Sequence, residues 1–172
     1  MADYPAWLET TERLADGTPV LVRPIKPEDW PLLQPGLMQL TPEDRHFRFM
    51  GGFDTIPDEL ARRLATVDYE TGIALVAIDG NGGPAGLLRL APSGQGRVEL
   101  AVVILPSWQK RGLGRLLAER GLAWARRVGV KTVELILLAD NRGMRRLAEK
   151  LGFTLRPIPE EFGVLQGERE VG

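Results

Sequence analysis

Behind the turn Ala15-Asp16-Gly17, residues 18–25 alternate polar and β-branched positions, which predicts a first strand. Pro27-Glu28-Asp29 predicts a helix start, with its acids at the positive end of the helix dipole. A second start falls at Thr41-Pro42-Glu43-Asp44: Thr41 can cap, Pro42 suits the first helical position and Asp44 nearly completes a capping box, so residues 41–49 are expected to be helical. Pro57-Asp58-Glu59-Leu60 opens a third short helix that runs to about Leu64. The rhythm then changes. Three apolar runs, residues 73–79, 84–90 and 97–105, are separated by Gly80-Asn81-Gly82-Gly83 and Pro92-Ser93-Gly94-Gln95-Gly96, a spacing that predicts an antiparallel meander with glycine-rich turns. Beyond Gly114 the apolar positions Leu116, Leu117, Leu122, Ala123 and Val128 follow helical spacing until Gly129 stops them. Residues 132–138 have the length and β-branching of a buried strand, Asp140 or Asn141 caps a further helix ending near Leu151-Gly152, and residues 153–158 and 162–171 offer two weaker closing strands. This order predicts an α+β (mixed α/β) sandwich rather than a doubly wound fold.

Length and composition narrow the chemistry. A chain of 172 residues, 44% hydrophobic, fits one domain over residues 1–172. With no Cys there is no disulfide, no thiolate metal site and no Cys nucleophile, and a single His leaves little for a zinc cluster or a serine-type triad. No metal is therefore expected, and the chemistry falls to carboxylates, backbone and a borrowed cofactor. The amino terminus lacks the basic start and apolar stretch of a signal peptide, and no run approaches the roughly 20 apolar residues that span a membrane, so a cytoplasmic location is expected. A formal net charge of −1 gives no reason to expect nucleic acid or an anionic membrane as partner. Self-association into a homodimer is left open.

The most informative stretch is the apolar run Val98 to Leu105, then Pro106-Ser107-Trp108, then Gln109-Lys110-Arg111-Gly112-Leu113-Gly114-Arg115. A strand feeds a glycine-containing turn that opens a helix. Gly112 and Gly114 let backbone approach an anion, the helix start supplies unpaired N–H groups, and Lys110, Arg111 and Arg115 add positive charge; together these favour a pyrophosphate. Two other phosphate loops are excluded. The Walker pattern needs Lys then Ser or Thr after its last Gly, where this chain has Arg115, and the dinucleotide fingerprint fails because its third Gly position holds Leu117.

Gln109-x-x-Gly112-x-Gly114, behind an apolar strand and Pro106, resembles the acetyl-CoA signature of the GNAT N-acetyltransferase family. Asn141-Arg-Gly-Met144-Arg-Arg-Leu147-Ala148-Glu149-Lys150-Leu151-Gly152-Phe153 is similar to that family's later motif, in which an Asn opens a helix ending in Lys-Leu-Gly-Phe. The two matches stand in the expected order, one helix and one strand apart. The resemblance implies a twisted, mostly antiparallel sheet with flanking helices and a V-shaped splay after Leu105 that admits the pantetheine of acetyl-CoA. It further implies that backbone near Val102, Val103 and Ile104 pairs with the pantetheine amides, that Arg111 to Arg115 hold the pyrophosphate, and that Asn141 faces the pantetheine arm. Arg120, Arg126, Arg127, Lys131, Arg142, Arg145 and Arg146 read as solvated helix faces.

Transfer to an amine needs the amine unprotonated, which for a lysine costs about 4–5 kcal/mol at pH 7. Glu99, a single carboxylate in an otherwise apolar strand, is the candidate base, and Glu99-Leu-Ala-Val resembles the Glu-x-Ala-Val context of bacterial protein lysine acetyltransferases. Many relatives place a Tyr seven residues after the motif Asn to protonate the departing thiolate; this chain has Ala148 there. Tyr4 and Tyr69 lie outside the motif, His46 reads as a helix-face residue and Trp108 as packing or a pocket rim. The expected activity is direct acetyl transfer from acetyl-CoA to a primary amine in a ternary complex. Pro24-x-x-Pro27-Glu28-Asp29 and the stretch from Leu40 to Phe49 resemble the GNAT domain of bacterial protein lysine acetyltransferases, which makes a protein lysine the expected acceptor, with Glu43, Asp44, Asp54, Asp58 and Glu59 available to attract a basic segment. A small-amine acetyltransferase and a non-catalytic acyl-CoA-binding module are the alternatives.

Overall fold

The structure is a computed structural model and describes residues 2–38 and 57–172, with backbone only at 35–38. The helix expected at 41–49, together with His46, Glu43, Asp44 and Asp54, lies outside the described residues. Eight strands form one sheet in the order β1-β2-β3-β4-β5-β6-β8-β7: β1 Thr10–Arg13, β2 Pro19–Pro24, β3 Ile73–Ile78, β4 Pro84–Gly94, β5 Arg97–Ile104, β6 Thr132–Leu138, β7 Thr154–Pro157 and β8 Val164–Glu170. Every neighbouring pair is antiparallel except β5 and β6. The described helices are α1 Trp30–Met38, α2 Asp58–Ala65, α3 Leu113–Val128 and α4 Arg142–Lys150. The expected meander and its α+β setting are present, with one correction: Pro92, Ser93 and Gly94, expected in a turn, continue β4 because Pro92 and Gly94 still pair with Val98 and Arg97 of β5, and the turn is left to Gln95-Gly96. β1 was not expected: it has four residues, Thr-Thr-Glu-Arg, with no buried position, so it carries no apolar signal and exists by pairing to β2.

Strand alternation sends side chains to two faces. On one, Leu75, Leu88, Leu90 and Leu100 meet Leu117, Leu122 and Trp124 of α3. On the other, Ala74, Val76 and Leu87 meet Leu33 of α1 and Ala61 and Ala65 of α2. Gly121 brings α3 onto β4, because a Cβ there would stand 2.7 Å from Leu88 Cδ2. Such burial of apolar area, worth about 25 cal/mol per Å2, is what fixes the helices to the sheet.

The seam that matters is between β5 and β6. Their parallel register covers only Arg97 with Thr132, Val98 with Val133 and Glu99 with Glu134, while β5 stays paired to β4 as far as Ile104. From Leu100 onward the strands diverge, so β5 has a partner on one edge and a gap on the other. β6 meanwhile pairs along its whole length with β8. Each half of the sheet is held by its outer neighbours, and the split opens between them.

Candidate active site

Backbone groups of a strand alternate in direction, so only every second residue of β5 can present N–H and C=O to the gap. The Leu105 N–H donates to Ala85 O of the β4 side, at 3.0 Å, whereas Ile104 O accepts from Gln109 Nε2 at 2.9 Å. Leu100, Val102 and Ile104 therefore turn their backbone toward the gap. Val103, expected beside them, turns its backbone to β4 and packs its side chain with Leu60, Leu64 and Trp108 on the α2 face. Its part in the site is apolar wall.

After a 3₁₀ turn at Pro106–Trp108, two left-handed residues fold the chain into the start of α3: Lys110 at φ 61° and Gly112 at φ 86°. The first carries a Cβ and costs about 1–2 kcal/mol in that conformation, a strain typical of functional loops. The Leu116 N–H is the first to meet a carbonyl, Gly112 O at 3.1 Å, which leaves the N–H groups of Leu113, Gly114 and Arg115 without intrahelical acceptors. Three amides at the positive end of a 16-residue helix are the arrangement that suits an anion. Gln109 ties the beginning of this loop to the end of β5.

Arg111 stands elsewhere than the sequence pattern implies. Its guanidinium donates to Asp16 Oδ2 at 2.9 Å, to Thr18 Oγ1 at 2.6 Å and to Ser107 O at 3.4 Å, and it stacks 4.5 Å above the Trp108 ring. The side chain braces the loop from behind, against the β1–β2 turn, and does not line the cavity. Hydrogen bonds from the Thr18 N–H and hydroxyl, then from Arg111, hold the Asp16 carboxyl down at about 2.

Across the gap, Asn141 caps α4 by accepting the Met144 N–H at 3.1 Å, so its Oδ1 is committed to the helix while the residue lines the cavity. Helical spacing then presents Gly143, Met144, Arg146, Leu147 and Lys150 to the same space. The cavity between these walls measures about 710 Å3, within the range of small-molecule and cofactor sites. It holds Glu99 at its inner end, β5 and Leu137 along its length, Trp108 at the side, and Gln109, Lys110, Gly112, Leu113, Gly114 and Arg115 at the mouth. Arg115 is ion-paired with Glu119 one turn on, 2.9 Å away and exposed, a contact weak enough to exchange for a phosphate.

Glu99 is half-buried and, among the described residues, has no hydrogen-bond or ion-pair partner. Its register neighbour Glu134 differs: burial opposes its charge, but hydrogen bonds from Ser93, Arg97 and Gln166 prevail and hold its carboxyl below the usual range. Ala148, at the position where relatives carry Tyr, is fully buried in the core and lines no part of the cavity. Neither tyrosine replaces it. Tyr69 donates to Ile25 O at 2.7 Å, and Tyr4, pushed up to about 12 chiefly by burial, sits beside it with ring centroids 5.8 Å apart.

Arg146, Lys150, Met144, Leu147 and Ile136 were not expected at the site. For the four α4 residues the signal was the i, i+3, i+4 spacing after Asn141, but a basic helix face looks alike whether it borders water or a cavity. Ile136 lies on the strand face away from α3 and is 43% exposed.

A strand with one free edge, an amide-lined helix start at its end and, among the described residues, a carboxylate without a partner at the apex suit an acyl thioester on a long, anion-bearing arm. The residues fit acetyl-CoA: amide-pairing strand, apolar throat, cationic mouth. The Acetyltransferase (GNAT) family model matches residues 37–153, and the chain belongs to this family. It is 34% identical over 159 residues to Acetyltransferase PA5475 of Pseudomonas aeruginosa, covering 90% of this chain and 84% of that protein. The GNAT domain of S. lividans PAT superposes with a TM-score of 0.91 at 26% identity, over 98% of this chain and 99% of that one. Spermidine N-acetyltransferase from Vibrio cholerae, solved with CoA and spermine, shares the fold at TM-score 0.71 and 17% identity, over 88% of this chain and 95% of that one. The protein is an acetyltransferase.

Proposed function

We propose that this acetyltransferase moves acetyl from acetyl-CoA to the side-chain amine of a protein lysine, with Glu99 as the base. The observation that carries the reading is the position of Glu99: a half-buried carboxylate without a partner among the described residues, at the inner end of the cavity where β5 and β6 part. Backbone groups of Leu100, Val102 and Ile104 hold the pantetheine arm, and the N–H groups of Leu113 to Arg115 hold the diphosphate. Glu99 takes the proton of the attacking amine; a nitrogen–carbon bond forms at the acetyl carbonyl, the carbon–sulfur bond breaks, and CoA leaves as a thiolate. A thiolate of pKa about 8.5 leaves without a dedicated acid and collects its proton from solvent, consistent with a buried Ala148.

The protein acceptor is supported by the resemblance to bacterial protein lysine acetyltransferases and by the likeness to the GNAT domain of S. lividans PAT over nearly the whole chain. Asp58 and Glu59, exposed in the first turn of α2, stand on the sheet face that Glu99 shares and suit a basic segment, while also complementing the helix dipole. The test is incubation with acetyl-CoA and either a cell lysate or a panel of polyamines, aminoglycosides and amino acids, read by mass spectrometry. Protein lysines acetylated above the non-enzymatic background are expected. Efficient acetylation of one small amine with no protein lysine modified overturns the acceptor, and no turnover with any amine overturns the activity.

A further inference from the structure

The cations around the cavity mouth fall into two sets. On the loop wall Arg111 is committed to Asp16 and Thr18, so the diphosphate is left to backbone N–H groups, Lys110 and, once its exposed pair with Glu119 exchanges, Arg115. On the opposite wall α4 carries four basic side chains, Arg142, Arg145, Arg146 and Lys150. Arg145 donates to Ala139 O at 3.1 Å, and neither it nor Arg142 lines the cavity. Arg146 and Lys150 do, and both are exposed, one helical turn apart on one face, with no ion-pair partner among the described residues. The apolar Met144 and Leu147 of the same helix line this wall as well. Two cations with no ion-pair partner among the described residues, on the wall facing the loop amides, suit a second anion.

CoA offers one. Its ribose carries a 3′-phosphate, a separate dianion on the far side of the diphosphate from the pantetheine. Resting on the acetyl-CoA reading above, we propose that Arg146 and Lys150 form a subsite for this 3′-phosphate and make the enzyme select CoA over 3′-dephospho-CoA. The loop wall binds what both molecules share; the α4 wall binds what only one has. Arg146 supplies a planar fork and Lys150 a point charge, the two modes by which proteins hold phosphate.

Calorimetry with CoA and with 3′-dephospho-CoA tests this on the whole protein and on the double variant Arg146→Gln, Lys150→Gln. Both substitutions are at exposed helix positions and Gln is a good helix former, so the variant is expected to fold, which circular dichroism checks. The wild type should bind CoA about tenfold or more tightly than 3′-dephospho-CoA, the worth of one charge-assisted contact. The variant should lose that preference while binding 3′-dephospho-CoA as the wild type does. Equal wild-type affinity for the two molecules overturns the proposal. So does an equal loss for both in the variant, which would assign the pair to the diphosphate. Failure of the wild type to bind either molecule refutes the acetyl-CoA reading itself.

Discussion

The two walls of the cavity solve the same problem by opposite means. The loop wall, from Ile104 to Arg115, presents backbone: its amides are aimed by two left-handed residues and held from behind by Gln109 on Ile104 and by Arg111 on Asp16 and Thr18. The α4 wall presents side chains, with Met144, Leu147, Arg146 and Lys150 at helical spacing and only Asn141 fixed as the cap. Amides held by covalent geometry cannot swing, so the loop is prepaid and unspecific: any diphosphate suits it. Long side chains pay entropy on binding and can be chosen one at a time, so the α4 wall is where selectivity is built. Glu99 stands at the apex where the walls meet and belongs to neither.

That separation predicts effects of different kinds. Glu99→Gln should lower kcat at least about 100-fold, as loss of a general base does, with the Kd for acetyl-CoA within about twofold of wild type. Wild-type turnover in stopped assays of thiol release would move the base elsewhere.

Next in size is a control at a residue that does not line the cavity. Asp29 is buried before α1, and burial alone would raise its pKa, yet the Arg23 fork at 2.7 and 2.8 Å and the Lys26 N–H at 2.7 Å hold the carboxyl below its usual range. A depressed folded pKa means stability that is present above the unfolded value of about 3.9 and lost as pH falls through the folded one. Asp29→Asn should cost about 2 kcal/mol at pH 7. The gap should narrow below about pH 4 in urea melts, with kcat per folded molecule unchanged. A gap that is the same at pH 7 and pH 3 would remove the ion pair as its cause.

Gly112→Val tests the backbone wall directly. A Cβ at Gly112 meets no atom within 4 Å, so the penalty is not a clash within the protein but a β-branched residue forced to φ 86°. That strain, about 1–2 kcal/mol, is relieved by turning the amides away, which predicts roughly tenfold weaker acetyl-CoA binding by calorimetry in a folded protein. Undiminished affinity would show that the amides do not hold the diphosphate.

The smallest effect should come from the brace. Arg111→Met is expected to weaken acetyl-CoA binding about threefold, Asp16→Asn similarly, and the double variant no more than either alone, because residues in one contact are not additive. Additive losses would mean that Arg111 touches the ligand itself.

Much of this molecule is legible in its sequence because the signals are local. The stop at Gly129, the helix start at Pro57-Asp58, the cap at Asp140 or Asn141, which falls on Asn141, and the helical apolar rhythm after Gly114 each act within a few residues, and the structure has them. The order of the meander and of the helix-strand-helix unit followed, and so did the family, because its two motifs are contiguous stretches. What only the tertiary structure decided depends on neighbours far along the chain. Arg111 and Arg115 are equivalent as cations in sequence, yet one meets Asp16, 95 residues away, and the other its own helix. Val102 and Val103 are the same residue type, and the direction of each backbone was settled by which edge of β5 meets β4. β1 has no apolar period to betray it and forms only because β2 offers an edge. Arg146 and Arg145 are adjacent arginines on a basic helix, and the 100° between successive side chains places one over the cavity and the other away from it. Sequence determined the elements and the chemistry available; the long-range pairing of strands, which no local energy encodes, determined where that chemistry points.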